Sequence, residues 1–171
     1  MLFSMSDAPS PAAITSRPAA PEDAAAIAHI LLESAQYHAR LDPERYSVPA
    51  LETIAAHYRE RQLLPDANAE HITLVAELSG EIVGFIDARL EQSPDPMHRR
   101  MIYCHIAEIA VGARHQNKGV GAQLLRAAED WGYRRGAEYA SLEQHAANTR
   151  AIAFYQRMGY GPASITAIKR L

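Results

Sequence analysis

The sequence predicts an α/β (α+β) fold, a mixed sheet with helices packed on it. Three observations predict it. Apolar residues recur at helical spacing over residues 21–62. From residue 71 that spacing gives way to runs rich in β-branched side chains. Beyond residue 112, helical and extended stretches alternate around glycine turns. A chain of 171 residues is long enough for one core. One domain is expected over residues 14–171, behind a disordered tail over residues 1–13 that is rich in Pro, Ser and Ala. Met5 competes with Met1 as the start.

Each element has its own signal. "AITSR" reads as a short first strand ended by Pro18. In "PEDAAAIAHILLESAQYHAR", Ile27, Ile30, Leu31, Ala35 and His38 fall on one helical face, and Glu22 and Asp23 suit the positive end of the helix dipole. "DPERYSVP" is a turn, and Pro49 opens a second helix to about Gln62. "PDANAE" breaks the chain. "HITLVAELSGEIVGFIDARLE" reads as two strands about a Ser79–Gly80 turn, and "QSPDPMHRR" as a loop. "MIYCHIAEIAV" is apolar enough to lie mid-sheet. A helix follows from about Gly119 to Arg135, with Val120, Leu124, Ala127, Ala128 and Trp131 inward and Gly136 as its stop. "AEYASLEQ" is a strand. "NTRAIAFYQRMGY" is a short helix with Asn148 as N-cap and Gly159 past its end. "ASITAIKRL" is a last strand.

Composition excludes several functions. A net charge of −3 argues against a general nucleic-acid binder. No apolar run approaches the ~20 residues that span a bilayer, and the N-terminus lacks the pattern of a signal peptide. The single cysteine, Cys104, allows no intramolecular disulfide, which fits a cytoplasmic protein. The eight histidines show no metal-ligand spacing, so no metal is expected. Cys104 reads as a small buried hydrophobe, and the basic stretch 98–100 as a solvated turn.

The turn "RHQNKGVGAQLL" over residues 114–125 carries the functional signal. A helix N-terminus presents unpaired N–H groups and about half a positive charge. Here no acidic residue competes for them. Gly119 and Gly121 let an anion approach the backbone, and Lys118, with Arg114 nearby, adds charge. A phosphate cradle is one reading, and a plain strand-to-helix turn is another. A nucleotide P-loop is rejected, because Lys118 precedes its glycine and no Ser or Thr follows. A dinucleotide site keeps Glu143 as a ribose-binding acid. It lacks the third glycine, since Leu124 stands there, and the tight turn straight off the strand.

"Gln116-Asn117-Lys118-Gly119-Val120-Gly121-Ala122" resembles the Gln/Arg-x-x-Gly-x-Gly/Ala signature of the GNAT superfamily of N-acetyltransferases. "RPAAPEDAAAIAHIL" resembles that family's first strand-to-helix segment. "IAEIAV" resembles its central strand, and "NTRAIAFYQRMGY" its closing motif. The segments occur in the family's order over nearly the whole chain. One departure is Gln116-Asn117 where many members carry Arg-Gly, so a positive charge is lost.

The resemblance implies a mixed, mostly antiparallel sheet of about six to seven strands with helices on both faces. It implies that the anion is the pyrophosphate of acetyl-CoA, held at Gln116, Asn117, Lys118, Gly119, Val120, Gly121 and Ala122. It also implies that the backbone of Ile109, Ala110 and Val111 pairs with the pantetheine arm. That pairing needs a sheet splayed open beside this strand, with free N–H and C=O groups. The implied partners are coenzyme A and a small-molecule or peptide amine, with no nucleic acid or membrane. A homodimer through a sheet edge is compatible with it.

Acetyl transfer needs a neutral amine. At a pKa of about 10.4, roughly one lysine-like amine in 2,500 is neutral at pH 7, a handicap of about 4–5 kcal/mol. Glu108 is the candidate base, because a carboxylate within an apolar strand needs a partner or a wet cleft. Strict alternation places Cys104, Ile106, Glu108 and Ala110 on one face, with Tyr103, His105, Ala107, Ile109 and Val111 on the other. His105 is a rival base on that opposite face. The backbone near Val111 is the candidate oxyanion donor. Tyr155 matches the family tyrosine whose hydroxyl points at the coenzyme sulfur, and is the candidate acid. Asn148 is a helix cap and a candidate coenzyme ligand. A non-catalytic module that binds an acyl-CoA is the alternative function; it needs the glycine turn but neither Glu108 nor Tyr155.

Overall fold

In the computed structural model of the chain, residues 13–62, 70–93, 97 and 99–170 are described. The expected tail over residues 1–13, apart from Ala13, lies outside them. So does most of "PDANAE" and part of the loop after residue 92.

Five strands are found among the described residues, in spatial order β1 to β5. They are β1 (Thr15–Pro18), β2 (His71–Leu78), β3 (Glu81–Gln92), β4 (Ile102–Val111) and β5 (Tyr139–Leu142). Pairings from β1 to β4 are antiparallel, and β4 pairs with β5 in parallel. The helices are α1 (Ala24–Leu41), α2 (Leu51–His57), α3 (Val120–Tyr133) and α4 (Thr149–Arg157). A π-helical turn, Tyr58–Gln62, extends α2. The mixed sheet with helices is as expected, but the strand count is lower. Of the strand expected over residues 163–171, the described part, residues 163–170, forms none: residues 161–170 run exposed, with Ile165 at 92% and Ile168 at 66%. Their side chains favour extended backbone, yet a strand is stabilised by neighbours and burial that this segment lacks.

The sheet separates two apolar cores. On one face α3 buries Val120, Leu124, Leu125, Ala128 and Trp131 against Leu74, Ile86, Ala88, Cys104 and Ile106. Phe154 and Tyr155 of α4 and Met158 just past its end pack onto that core. On the other face α1 and α2 bury Ile27, Ala28, Ile30 and Ile54 against Val75, Phe85 and Ala110, with Tyr58 beside them. Helix α3 lies close to β4 because Gly132 faces Cys104; a Cβ there would stand 2.4 Å from the Cys104 Cβ. Asp23 does more than suit a dipole. It is buried, takes Arg17 at 2.7 Å and the Ala20 N–H at 2.8 Å, and locks β1 to α1. The Arg17 guanidinium holds its carboxyl below the usual range.

Candidate functional site

Strand β4 changes character at residue 107. From Tyr103 to Ile106 it is paired on both sides, ending at Ile106 opposite Leu142 of β5. From Glu108 to Val111 its only partner among the described residues is β3. Among the described residues the sheet is therefore open along the edge of Ile109, Ala110 and Val111.

The register explains where the change occurs. Asp87 of β3 faces Glu108, while the next residue, Ala88, faces Ile106. Ala107 is surplus, a β-bulge. It corrects the alternation expected from sequence. Cys104 and Ile106 belong to the α3-side core, whereas Ala110 belongs to the α1-side core and Ile109 and Val111 pack toward α3. Glu108 thus shares a face with His105, not with Cys104. The two candidate bases lie on the same side of the sheet. His105 places Nδ1 3.1 Å from the Ser141 hydroxyl and 3.9 Å from Glu91.

At the top of the open edge the chain turns into α3. Asn117 has φ of +62° and Gly119 φ of +84°, the left-handed region that glycine enters without strain. Gly119 is the N-cap, no side chain caps the helix, and no acidic residue stands in its first turn. The leading N–H groups of α3 therefore remain available for an anion. The Gln116 side chain donates to the Val111 carbonyl at 3.1 Å, tying the turn to the open edge. Gly121 faces Val111 and Phe154, where a Cβ would meet ring and methyl atoms at 3.5–3.7 Å. Asn117, Lys118 and Gly119 are exposed, while the Val120 side chain is core, so only its backbone is accessible. Arg114 is exposed and lies 3.8 Å from Glu81. These features suit a long ligand with an anionic end: free strand backbone for an arm, then unpaired amides and a cation for phosphates.

Glu108 is raised to about 7, first by burial and then by the neighbouring Asp87 charge. Tyr155 is pushed up to about 12 by burial and by Glu108, so its hydroxyl stays protonated at neutral pH. Its ring lies between those of Phe154 and Tyr160, tilted 58° to each. Asn148 is buried and caps α4, accepting from the Ala151 N–H at 3.1 Å; its Oδ1 also takes the Tyr37 hydroxyl at 3.3 Å. Nearby, His145 and Arg45 converge on Asp42 at 3.1 and 2.5 Å, joining the end of α1 to the loop before α4. Cys104 is buried, with its thiol raised to about 11 by burial, the behaviour of an inert core residue.

The sequence reading missed Asp87, His71, Thr73 and Tyr58. The signal for Asp87 was a second carboxylate inside an apolar strand, "IVGFIDARL". Among the described residues no cluster of His, Cys, Asp or Glu could hold a metal ion, and no helix is long and apolar enough to cross a membrane.

A family model described as Acetyltransferase (GNAT) family matches residues 27–160. The uncharacterized N-acetyltransferase YhfO of Bacillus subtilis is 31% identical over 93 residues, 54% of this chain and 60% of that protein. The chain spans between 24% and 60% of the length of the first curated relatives it matches. Among solved structures, a mutant of the BH1408 protein of Bacillus halodurans superposes with a TM-score of 0.78 at 18% identity, covering 92% of this chain and 99% of that one. The aminoglycoside N-acetyltransferase AAC(6')-Iy, solved with CoA, gives 0.69 at 19% identity, covering 96% and 98%. At such identities the likeness shows the fold alone.

Proposed function

Because this chain belongs to the acetyltransferase (GNAT) family, we propose that it transfers an acetyl group from acetyl-CoA to a primary amine, by direct attack in a ternary complex in the cytoplasm. The observation that carries the reading is the conjunction on β4. Its open edge ends at an uncapped, acid-free helix N-terminus, and Glu108 and Tyr155 lie beside that edge. The AAC(6')-Iy structure with CoA supports coenzyme binding in this fold.

Roles follow from chemistry. The backbone of Ile109, Ala110 and Val111 holds the pantetheine arm by strand-like hydrogen bonds. The turn Gln116–Lys118 and the amides of Gly119, Val120, Gly121 and Ala122 hold the pyrophosphate, and Asn148 offers its remaining amide hydrogens to the coenzyme. When bound, acetyl-CoA supplies the thioester and a thiol leaving group. Glu108 takes the proton from the acceptor's ammonium. A base raised to about 7 is half ionised at neutral pH and narrows the gap to the amine far more than an ordinary carboxylate does. An N–H near Val111 steadies the developing oxyanion. Tyr155, kept protonated, gives its hydroxyl proton to the departing sulfur and is reprotonated by the second proton that the amine nitrogen releases as the amide forms.

The test is calorimetric titration of acetyl-CoA, with NADH as control, followed by an amine panel read by thiol release. Acetyl-CoA binding, no NADH binding and thiol release are expected. Absence of acetyl-CoA binding overturns the reading. Binding without transfer across a broad panel favours a non-catalytic acyl-CoA-binding module.

A further inference from the structure

Asp87 and Glu108 stand directly opposite each other on neighbouring strands, on the same face of the sheet. Like charges so placed repel, and a sheet gains nothing from them. Asp87 is nevertheless buried and firmly held. Its Oδ1 accepts from the Thr73 hydroxyl at 3.3 Å and from His71 Nε2. Thr73 is its register partner on β2, so Thr73, Asp87 and Glu108 form one row across three strands. The row begins in anchors and ends at the open edge of β4. A buried carboxylate fixed on one side by two donors is a preorganised charge, and what it faces is Glu108.

We propose that Asp87, anchored by Thr73 and His71, is a positioning residue of the acetyl-transfer site, and that its fixed negative charge makes Glu108 take up the acceptor's proton. The inference rests on Glu108 acting as base in the proposed function. In the step, the proton leaves the ammonium nitrogen for a Glu108 carboxylate oxygen, and the nitrogen keeps the electron pair for attack. Asp87 gains and loses nothing; it makes the negative form of Glu108 costlier and its protonated form cheaper. Other titratable groups surround Glu108. Tyr155 on α4 and Tyr58 on the π-helical turn both feel its charge. His71 reaches it through Asp87, and His105 lies on the same face of β4 with Arg89 as register partner. Tyr37 of α1 is turned to Asn148.

The experiment is the pH profile of kcat/KM with acetyl-CoA and an accepted amine, for wild type, Asp87→Asn, Asp87→Glu and Glu108→Gln. A carbon-13 titration of the Glu108 carboxyl in the ligand-free protein runs beside it. In wild type the acid limb falls near pH 7, because protonated Glu108 cannot act as base. Removing the neighbouring charge lowers that midpoint. Asp87→Asn is therefore expected to move both the acid limb and the carbon-13 midpoint down by about one pH unit. It should also slow the rate at pH 8.5 by about tenfold, because a weaker base remains. Asp87→Glu keeps the charge and should keep the midpoint. If the Asn variant fails to fold, Asp87→Ser supplies a neutral acceptor for the same two donors. A neutral variant with an unmoved midpoint and uniformly lower activity overturns the proposal and leaves Asp87 a structural residue. An unchanged rate and limb in Glu108→Gln would instead remove the base on which the inference depends.

Discussion

The two halves of β4 are chemically alike and do different work. Residues 102–106 and 107–111 are both largely apolar runs with one polar side chain on the α1 side of the sheet, His105 or Glu108. The first half is hydrogen-bonded on both edges and serves as sheet interior. The second half is bonded on one edge, and among the described residues no strand pairs with the other. What divides them is pairing rather than composition: β5 stops at Leu142, one residue is surplus at Ala107, and the strand runs on beside β3 alone among the described residues. Withholding a neighbour leaves strand backbone free, which is what the proposed coenzyme arm requires.

Substitutions can break or sharpen that contrast. The largest effect is expected in the closed half. Gly132→Ala drives a Cβ into Cys104 at 2.4 Å, and both are held by backbone, so α3 must move off the sheet. Destabilisation of about 3 kcal/mol is expected in chemical denaturation, with acetyl-CoA affinity of the folded fraction unchanged. Equal loss of affinity would mean that the halves are not separable. Gly121→Glu attacks the open side. Its Cβ meets Phe154 and Val111 at ordinary contact distance, but it adds a negative charge in the first turn of α3, where phosphates are expected. Acetyl-CoA affinity should fall at least ~100-fold by calorimetry, about 2.7 kcal/mol, while the melting temperature stays within a few degrees. Normal binding would remove the phosphate cradle. Tyr155→Phe deletes only a hydroxyl beside the open half. A drop in kcat of about tenfold with little change in coenzyme affinity is expected. An unchanged rate would take Tyr155 out of the chemistry. Asn148→Ala removes the cap of α4 and the Tyr37 bond, and should cost about 1 kcal/mol of stability.

Much of this was legible in the amino-acid sequence. Helical spacing marked α1 and α3. The glycine turn marked the start of α3, and Asn148 announced its cap. Glu108 was conspicuous as a charge within an apolar strand. What escaped the sequence depends on neighbours distant along the chain. Asp87 matters because the register sets it against Glu108, and nothing within β3 records that register. Residues 163–170 carry the side chains of a strand, but a strand is a property of two edges, and no second edge meets them among the described residues. The face of Glu108 was misread for a related reason. Alternation was counted through Ala107 as though every residue turned the chain over once.

That surplus residue carries a lesson about correspondence between chains. On either side of Ala107 the same odd or even position number points to opposite sides of the sheet. β4 therefore behaves like a text with a shifted reading frame. Matching this strand to one that lacks the extra residue must skip Ala107, or Glu108 is set against a position on the α3 face. A transplant of the strand that trims Ala107 turns the Glu108 carboxylate to the opposite face. Position along the strand is a reliable guide to function only after the parity of its register has been established.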